Sequence, residues 1–209
     1  MNNLDYNELL AILIHNLDGN EKSRYFIALS GPPASGKSTI SEKIANDLTN
    51  KGYQSSVLQM DGFHYDDKIL KDKNLISKKG APETFDVMGL ANFLSRLKTE
   101  EEVIIPVFDR SLELSRSSAV IIPKETKVIL TEGNYLLLNS KPWNILHKFF
   151  DSSIMIKCEE KKLEKRLLDR WKNFNLSKDE IHQKVYKNDL PNGMYVMKNS
   201  SKSDYILIN

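Results

Sequence analysis

The chain has 209 residues, 40% hydrophobic and 28% charged, which suits one compact domain over 1–209 with a core of its own. A net charge of +2 without a long basic run gives no footprint for nucleic acid, and the single cysteine, Cys158, excludes an internal disulfide and suits a reducing cytosol. The opening residues lack a basic stretch followed by an apolar core, and no apolar run nears the roughly 18 residues of a membrane span. A soluble cytoplasmic protein, monomer or homodimer, is the expectation.

In chain order, Leu10, Leu13, Ile14 and Leu17 share one helical face, which predicts an amphipathic helix over 4–17 ended near Gly19. "YFIALS" (25–30) reads as a buried strand running into Gly31. Ile40, Ile44, Ala45 and Leu48 predict a helix over 38–50, with Gly52 as its stop. "SSVLQM" (55–60) is a second strand that ends at Asp61. The polar stretch 62–86 has room for a short helix near 66–73, and Leu90, Phe93, Leu94 and Leu97 predict another helix after it. "EVIIPVF" (102–108), the first part of "KVILTEGNYLLL" (127–138) and "SIMIKC" (153–158) read as strands, the second stopping near Glu132. A charged helix follows to about Phe174, and "YILI" (205–208) adds a last strand at the sheet edge. Alternating strands and helices imply a mostly parallel sheet covered on both faces, with ligands beyond the carboxyl ends of its strands.

Three of those strand ends carry chemistry. "GPPASGKST" (31–39) has the Gly-x4-Gly-Lys-Ser spacing of a phosphate-binding loop, set between a strand and a helix. Gly31 and Gly36 let backbone N–H groups turn toward one anion, and the helix adds its positive end. Lys37 supplies a full charge near the β- and γ-phosphates, and the Ser38 hydroxyl suits Mg²⁺. Asp61 reads as a general base or orienter for an attacking hydroxyl, as an outer magnesium ligand, or as a turn residue before Gly62. Glu132 reads as an acid holding magnesium through water, or as a solvated strand-end glutamate. On the charged helix, Lys162, Arg166 and Arg170 recur every four residues beside an apolar face of Leu163, Leu167, Trp171 and Phe174. That stripe is either a clamp for phosphates or an ordinary solvated face.

Two other chemistries lose support. "DVMG" (86–89) has the Asp-x-x-Gly of GTPases, but it opens a helix-like stretch and no Asn-Lys-x-Asp occurs in the chain. The four histidines are scattered and Cys158 has no cysteine partner, so a zinc site is not expected.

Taken together, "GPPASGKST", "MDGFHYDD", "KKGAPETFDVMGL", "PVFDRSLE" and "TEGNYLLL" resemble, in that order, the P-loop kinases of the uridine kinase, phosphoribulokinase and pantothenate kinase superfamily. The nearest likeness is to bacterial nucleoside/nucleotide kinase proteins, some described as fructose-transport-associated kinases. The resemblance implies a P-loop NTPase three-layer sandwich, with a mostly parallel sheet of five or slightly more strands and a helical lid at about 159–176. It implies ATP and Mg²⁺ as cofactors, with ATP held by Gly31, Ala34, Ser35, Gly36, Lys37, Ser38 and Thr39. It makes Asp61 the catalytic base, puts Ser38 and Glu132 at the metal, and makes Arg166 and Arg170 phosphate clamps. His64, Tyr65, Asp109 and Arg110 become acceptor-pocket residues. The implied reaction moves the γ-phosphoryl of ATP to the hydroxyl of a small molecule: a sugar, a nucleoside or a pantothenate-like compound. A nucleotide-dependent switch or ATPase without an acceptor is the alternative. "KNDLPNGMYV" (187–196) resembles a segment of the sugar-kinase-like group, in which Asn188, Asp189 and Asn192 either contact ligands or cap a helix.

Overall fold

The structure is a computed structural model that describes residues 3–174 and 176–209; residue 175, inside the expected lid, lies outside them. Six strands form one wholly parallel sheet in the order β1 (Asn3–Leu4), β8 (Tyr205–Ile208), β7 (Ser152–Lys157), β2 (Tyr25–Ser30), β6 (Val128–Gly133), β3 (Ser55–Gln59). Every residue of β2 and β6 is buried, as central strands covered on both faces require. Alternation along β2 separates the two cores. Tyr25, Ile27 and Leu29 pack with Leu9, Leu13 and Leu17 of α1 (Tyr6–Asp18) and with Ile44 and Leu48 of α2 (Lys37–Asn50). Phe26 and Ala28 face the other way, toward Leu90, Leu94 and Leu97 of α4 (Val87–Thr99) and Trp143. This is the expected three-layer α/β sandwich.

Local chemistry sets the helix starts. Asp5 caps α1 in a capping box with Glu8, so the helix begins two residues later than periodicity suggests, and Asn3–Leu4 joins the sheet. Asp66 caps the short α3 (Asp67–Asp72). Asp86 accepts a hydrogen bond from Gly89 N at 2.8 Å, so "DVMG" is the capped start of α4.

Two strand expectations need correction. The last strand is not at the edge: β8 pairs with β7 on one side and with β1 on the other, because two residues ahead of the α1 cap suffice to close that edge. The strand expected at 102–108 forms as β4 (Val103–Asp109) outside the parallel sheet, paired antiparallel with β5 (Leu114–Ile122). The polar first half of β5 is solvent-exposed and gave no strand signal. Beyond α5 (Glu160–Lys172), the chain adds α6 (Lys178–His182), a π-helical turn Gln183–Asp189 and α7 (Leu190–Asn199).

Arg24, which sequence reading passed over, ties the far end of the sheet together. It is 6% exposed, and all its N–H groups donate to backbone carbonyls: Thr126 O (3.2 Å), Leu97 O and Glu100 O (2.8 Å each), Glu101 O (2.5 Å) and Pro123 O (3.1 Å). One guanidinium therefore satisfies the carboxyl end of α4 and the turns flanking β4 and β6. Arg24→Met leaves these carbonyls unmet and should cost about 3 kcal/mol, a loss of roughly 6–12 °C in melting temperature for a chain of this size. A shift under about 2 °C in a thermal melt would contradict this role.

Candidate active site

Register brings the carboxyl ends of three strands to one level. Glu132 on β6 lies opposite Leu29 of β2 and Gln59 of β3, so the loop after β2, the buried acid and Asp61 just past β3 meet at one edge. Close packing enforces this. A β-carbon on Gly31 would come within 2.8 Å of Ile156 O, and one on Gly62 within 2.8 Å of Pro106 O. Gly133 has the Met60 side chain against it.

The loop wraps around its own lysine. Gly36 (φ +92°) and Ala34 (φ +60°) take left-handed conformations that turn the chain into α2. Lys37 is buried, with Nζ donating to Pro32 O at 2.9 Å, and burial pushes its ammonium down to about 8 against the pull of Glu132 and Asp61. Two side chains from elsewhere brace the loop. Arg166 Nη1 donates to Ala34 O at 3.3 Å, and Asn209 Nδ2 donates to Ser35 O at 2.6 Å.

Ser38 Oγ donates to Glu132 Oε1 at 2.9 Å. Burial, then the charge of Asp61, raises the Glu132 carboxyl above its ordinary value; Lys37 and Ser38 oppose this. Hard oxygen donors side by side, next to a phosphate loop, suit Mg²⁺, which takes few protein ligands and completes its shell with phosphate and water. No cluster of three or more His, Cys, Asp or Glu exists among the described residues.

Asp61 behaves differently. Burial alone would raise its carboxyl, but its neighbours, His64 beside it and the cations Arg110, Lys37 and Arg170, outweigh burial and hold it below the ordinary carboxylate range. Its Oδ2 accepts from Arg110 Nη2 at 2.8 Å, while Oδ1 has no hydrogen-bond partner among the described residues. Arg110 is half-exposed, so the pair contributes at most about 1 kcal/mol to stability and its main effect is to aim the carboxylate. His64 Nδ1 donates to Asp61 O at 2.9 Å. Burial lowers the His64 imidazole against the attraction of Asp61, leaving the ring neutral at neutral pH with Nε2 as an acceptor.

Asp61, His64 and Arg110 line a cleft that also takes in Lys79, Phe85, Phe108, Glu113, Arg170, Lys184 and Asp189. The arms of this cleft are the β4–β5 hairpin and the α5–π-turn unit. Trp171 Nε1 donates to Asp189 Oδ2 at 2.7 Å and joins the two halves of that unit. The largely buried Arg170 stacks on Trp171, 5.2 Å from the ring centre, and has no hydrogen-bond or ion-pair partner among the described residues. Such a cleft can hold a small hydroxyl compound against Asp61, with Arg170 in a wall shared with Pro33 of the phosphate loop.

Several expected residues land elsewhere. Tyr65 does not line the cleft; its backbone N–H donates to Thr84 O. Asp109 is absorbed by the hairpin turn, accepting from Ser111 and Leu112 and pairing with Arg116 at 3.2 Å. Arg166 sits on the loop and not beside Arg170 in the cleft. Asn188 and Asn192 brace the π-turn against Lys79 O, so neither caps a helix, and Asp189 alone of the three lines the cleft. Lys79, Glu113 and Lys184 were missed. Lys79 and Glu113 stand inside "KKGAPETFDVMGL" and "PVFDRSLE" but were not singled out there, Lys184 lies in a charged stretch with no local signal, and only the tertiary fold brings the three together.

The family model described as phosphoribulokinase / uridine kinase matches residues 26–206. The chain belongs to this family. Its members are P-loop kinases of small molecules, and the chain is one of them. Over 97% of its length it is 28% identical to a Schizosaccharomyces pombe protein provisionally named a uridine kinase, covering 88% of that protein. It is 32% identical to the pantothenate kinase of Bacillus velezensis over 72% of its own length, and spans half of that longer protein. Among solved structures, a Silicibacter protein provisionally named a fructose transport system kinase superposes with a TM-score of 0.92 at 35% identity, covering 99% of both chains.

A triphosphate seated on the kinase loop needs Lys37 charged. With the free ammonium titrating near 8, affinity for ATP should hold steady up to that pH and fall about tenfold by pH 9. Lys37→Met should bind weakly with no such fall. Titration of a fluorescent ATP analogue at pH 7 and 9 measures both, and equal affinity at the two pH values for the unmodified kinase would refute the assignment.

Proposed function

We propose that this kinase transfers the γ-phosphoryl group of ATP to a hydroxyl of a small molecule of sugar, nucleoside or pantothenate-like type, with Mg²⁺. One observation carries the reading. Asp61 is kept ionised in the wall of a cleft, with one oxygen aimed by Arg110 and the other unpartnered, at the level of the phosphate loop.

The loop amides and Lys37 hold the β- and γ-phosphates, exchanging the Pro32 carbonyl for the stronger anion. Ser38 and Glu132 would hold Mg²⁺, which supplies positive charge to the phosphates when bound. Asp61 Oδ1 accepts a hydrogen bond from the acceptor hydroxyl and orients it in line with the γ-phosphorus. As the new O–P bond forms, the bond to the bridging β–γ oxygen breaks, ADP leaves, and the hydroxyl proton passes to Asp61. A carboxylate held below its ordinary range is a weak base, so it takes that proton late. This suits a loose transition state in which orientation counts for more than basicity.

Helix α5 serves as the lid in this single-domain reading. Arg170, with donors to spare, meets charge on the transferring group, while Arg166 keeps the loop in shape and approaches the phosphates from its side. A cytoplasmic setting supplies ATP and keeps Cys158 reduced. No helix among the described residues is long and apolar enough to cross a membrane.

Asp61→Asn keeps the shape of the side chain but cannot take the proton. Turnover with acceptor should fall at least about a hundredfold, while ATP affinity changes less than about threefold. ADP formation and equilibrium nucleotide titration read the two quantities. Near-normal turnover in the variant would remove Asp61 from the mechanism.

A further inference from the structure

Residues 110–113 connect the last ladder pair of the β4–β5 hairpin, Asp109 with Leu114, and Glu113 closes this turn at φ +52°. That left-handed position favours glycine or asparagine, and a glutamate held there is disfavoured by its own β-carbon. Lys79 Nζ fixes the backbone by donating to Glu113 O at 2.6 Å. The side chain lines the cleft beside Arg170, yet among the described residues its buried Oε1 has no hydrogen-bond partner and no ion pair engages the carboxylate. Two unfavourable features therefore meet at one residue in the wall of the acceptor cleft: backbone strain and an unmet buried acceptor.

Its surroundings say what it waits for. Asp61 Oδ1 and His64 Nε2 are further acceptors in the same wall, without hydrogen-bond partners among the described residues. His64 lies between Phe85 and Phe108, with ring centres 4.0 and 4.8 Å away, which gives the acceptors an aromatic floor. Lys79, Arg110, Arg170 and Lys184 line the cleft as well, so a cationic ligand for Glu113 would be repelled. Uncharged O–H donors above an apolar surface fit this arrangement.

We propose that Glu113 reads the acceptor, its carboxylate accepting a hydrogen bond from a hydroxyl other than the one phosphorylated, so that the acceptor is a polyhydroxylated compound of the sugar or polyol class. The inference rests on the kinase reading above and adds a specificity residue and a substrate class to it.

The experiment compares the unmodified kinase with Glu113→Gly and Glu113→Gln. ADP formation is followed with D-fructose, D-ribose, mannitol, D-glycerate, uridine, pantothenate and simple mono-alcohols. The expected acceptor comes from the polyhydroxylated group. Glu113→Gly should raise its KM at least about tenfold, leave the KM for ATP within about twofold, and melt no lower than the unmodified protein because the turn strain is relieved. Removing one non-reacting hydroxyl from the acceptor should cost the unmodified kinase about tenfold or more in kcat/KM and cost Glu113→Gly little, since the two changes remove one contact. Glu113→Gln, which keeps the shape and loses the charge, should fall between.

Unchanged acceptor KM in Glu113→Gly, equal deoxy penalties in both proteins, or turnover of a mono-alcohol as well as any polyol would overturn the role of Glu113. Absence of stimulation by every compound, with ATP still binding, would overturn the kinase reading and the inference with it.

Discussion

Everything at the active edge depends on one buried strand, β6, held in parallel register between β2 and β3. Because Glu132 is level with Leu29 and Gln59, three loops leave the sheet at the same height. The glycines at 31, 62 and 133 then let those loops close on one another without a β-carbon in the way. A one-residue slip in β6 would send its side chains to the opposite core and carry Glu132 away from Ser38. The two apolar cores on either face penalise that slip, so burial far from the chemistry sets the geometry of the chemistry.

Around that edge the same low-dielectric setting acts in opposite directions on neighbouring groups. Lys37 and Glu132 are both pushed toward their neutral forms by burial, which favours them for incoming charge: phosphate for the lysine and a cation for the acid. Asp61, equally near, stays ionised because guanidinium and ammonium groups outnumber acids on its side. Separation of acid–base character between two carboxylates at the ends of adjacent strands is what a phosphoryl-transfer site needs: one acid beside the metal position and one beside the hydroxyl. The α5–π-turn unit, joined through Trp171 and Asp189, and the β4–β5 hairpin are the parts able to tune that site for one acceptor.

How much of this could be read in the sequence follows the range of the interactions involved. That the phosphate loop, Asp61 and Glu132 stand at strand ends on one edge was legible, because each directly follows an apolar run. The α/β class was legible for the same reason. The hairpin was only half legible, since the exposed, serine-rich β5 lacks the alternation that marks a strand. Asp109 and Tyr65 looked functional by their place in motifs, but turn geometry claims one and a backbone pairing fixes the other away from the cleft. Arg24 and Asn209 had no local signal at all, and Glu113 had none beyond its place in "PVFDRSLE". Their partners lie up to 174 positions away, as for Asn209 and Ser35, and strain or an unmet oxygen shows only in three dimensions.

The central claim is that phosphate leaving ATP on this chain is passed to an organic hydroxyl and not to water. The most direct measurement follows the γ-phosphorus itself. The protein is incubated with γ-labelled ATP, Mg²⁺ and a pool of cellular small molecules, and the label is separated into organic ester and inorganic phosphate. The account requires label to accumulate in an organic phosphate ester, much faster than inorganic phosphate appears, and to stop doing so in Asp61→Asn. Label found only as inorganic phosphate, at the same slow rate with and without the pool, would contradict it and mark the chain as a nucleotide switch.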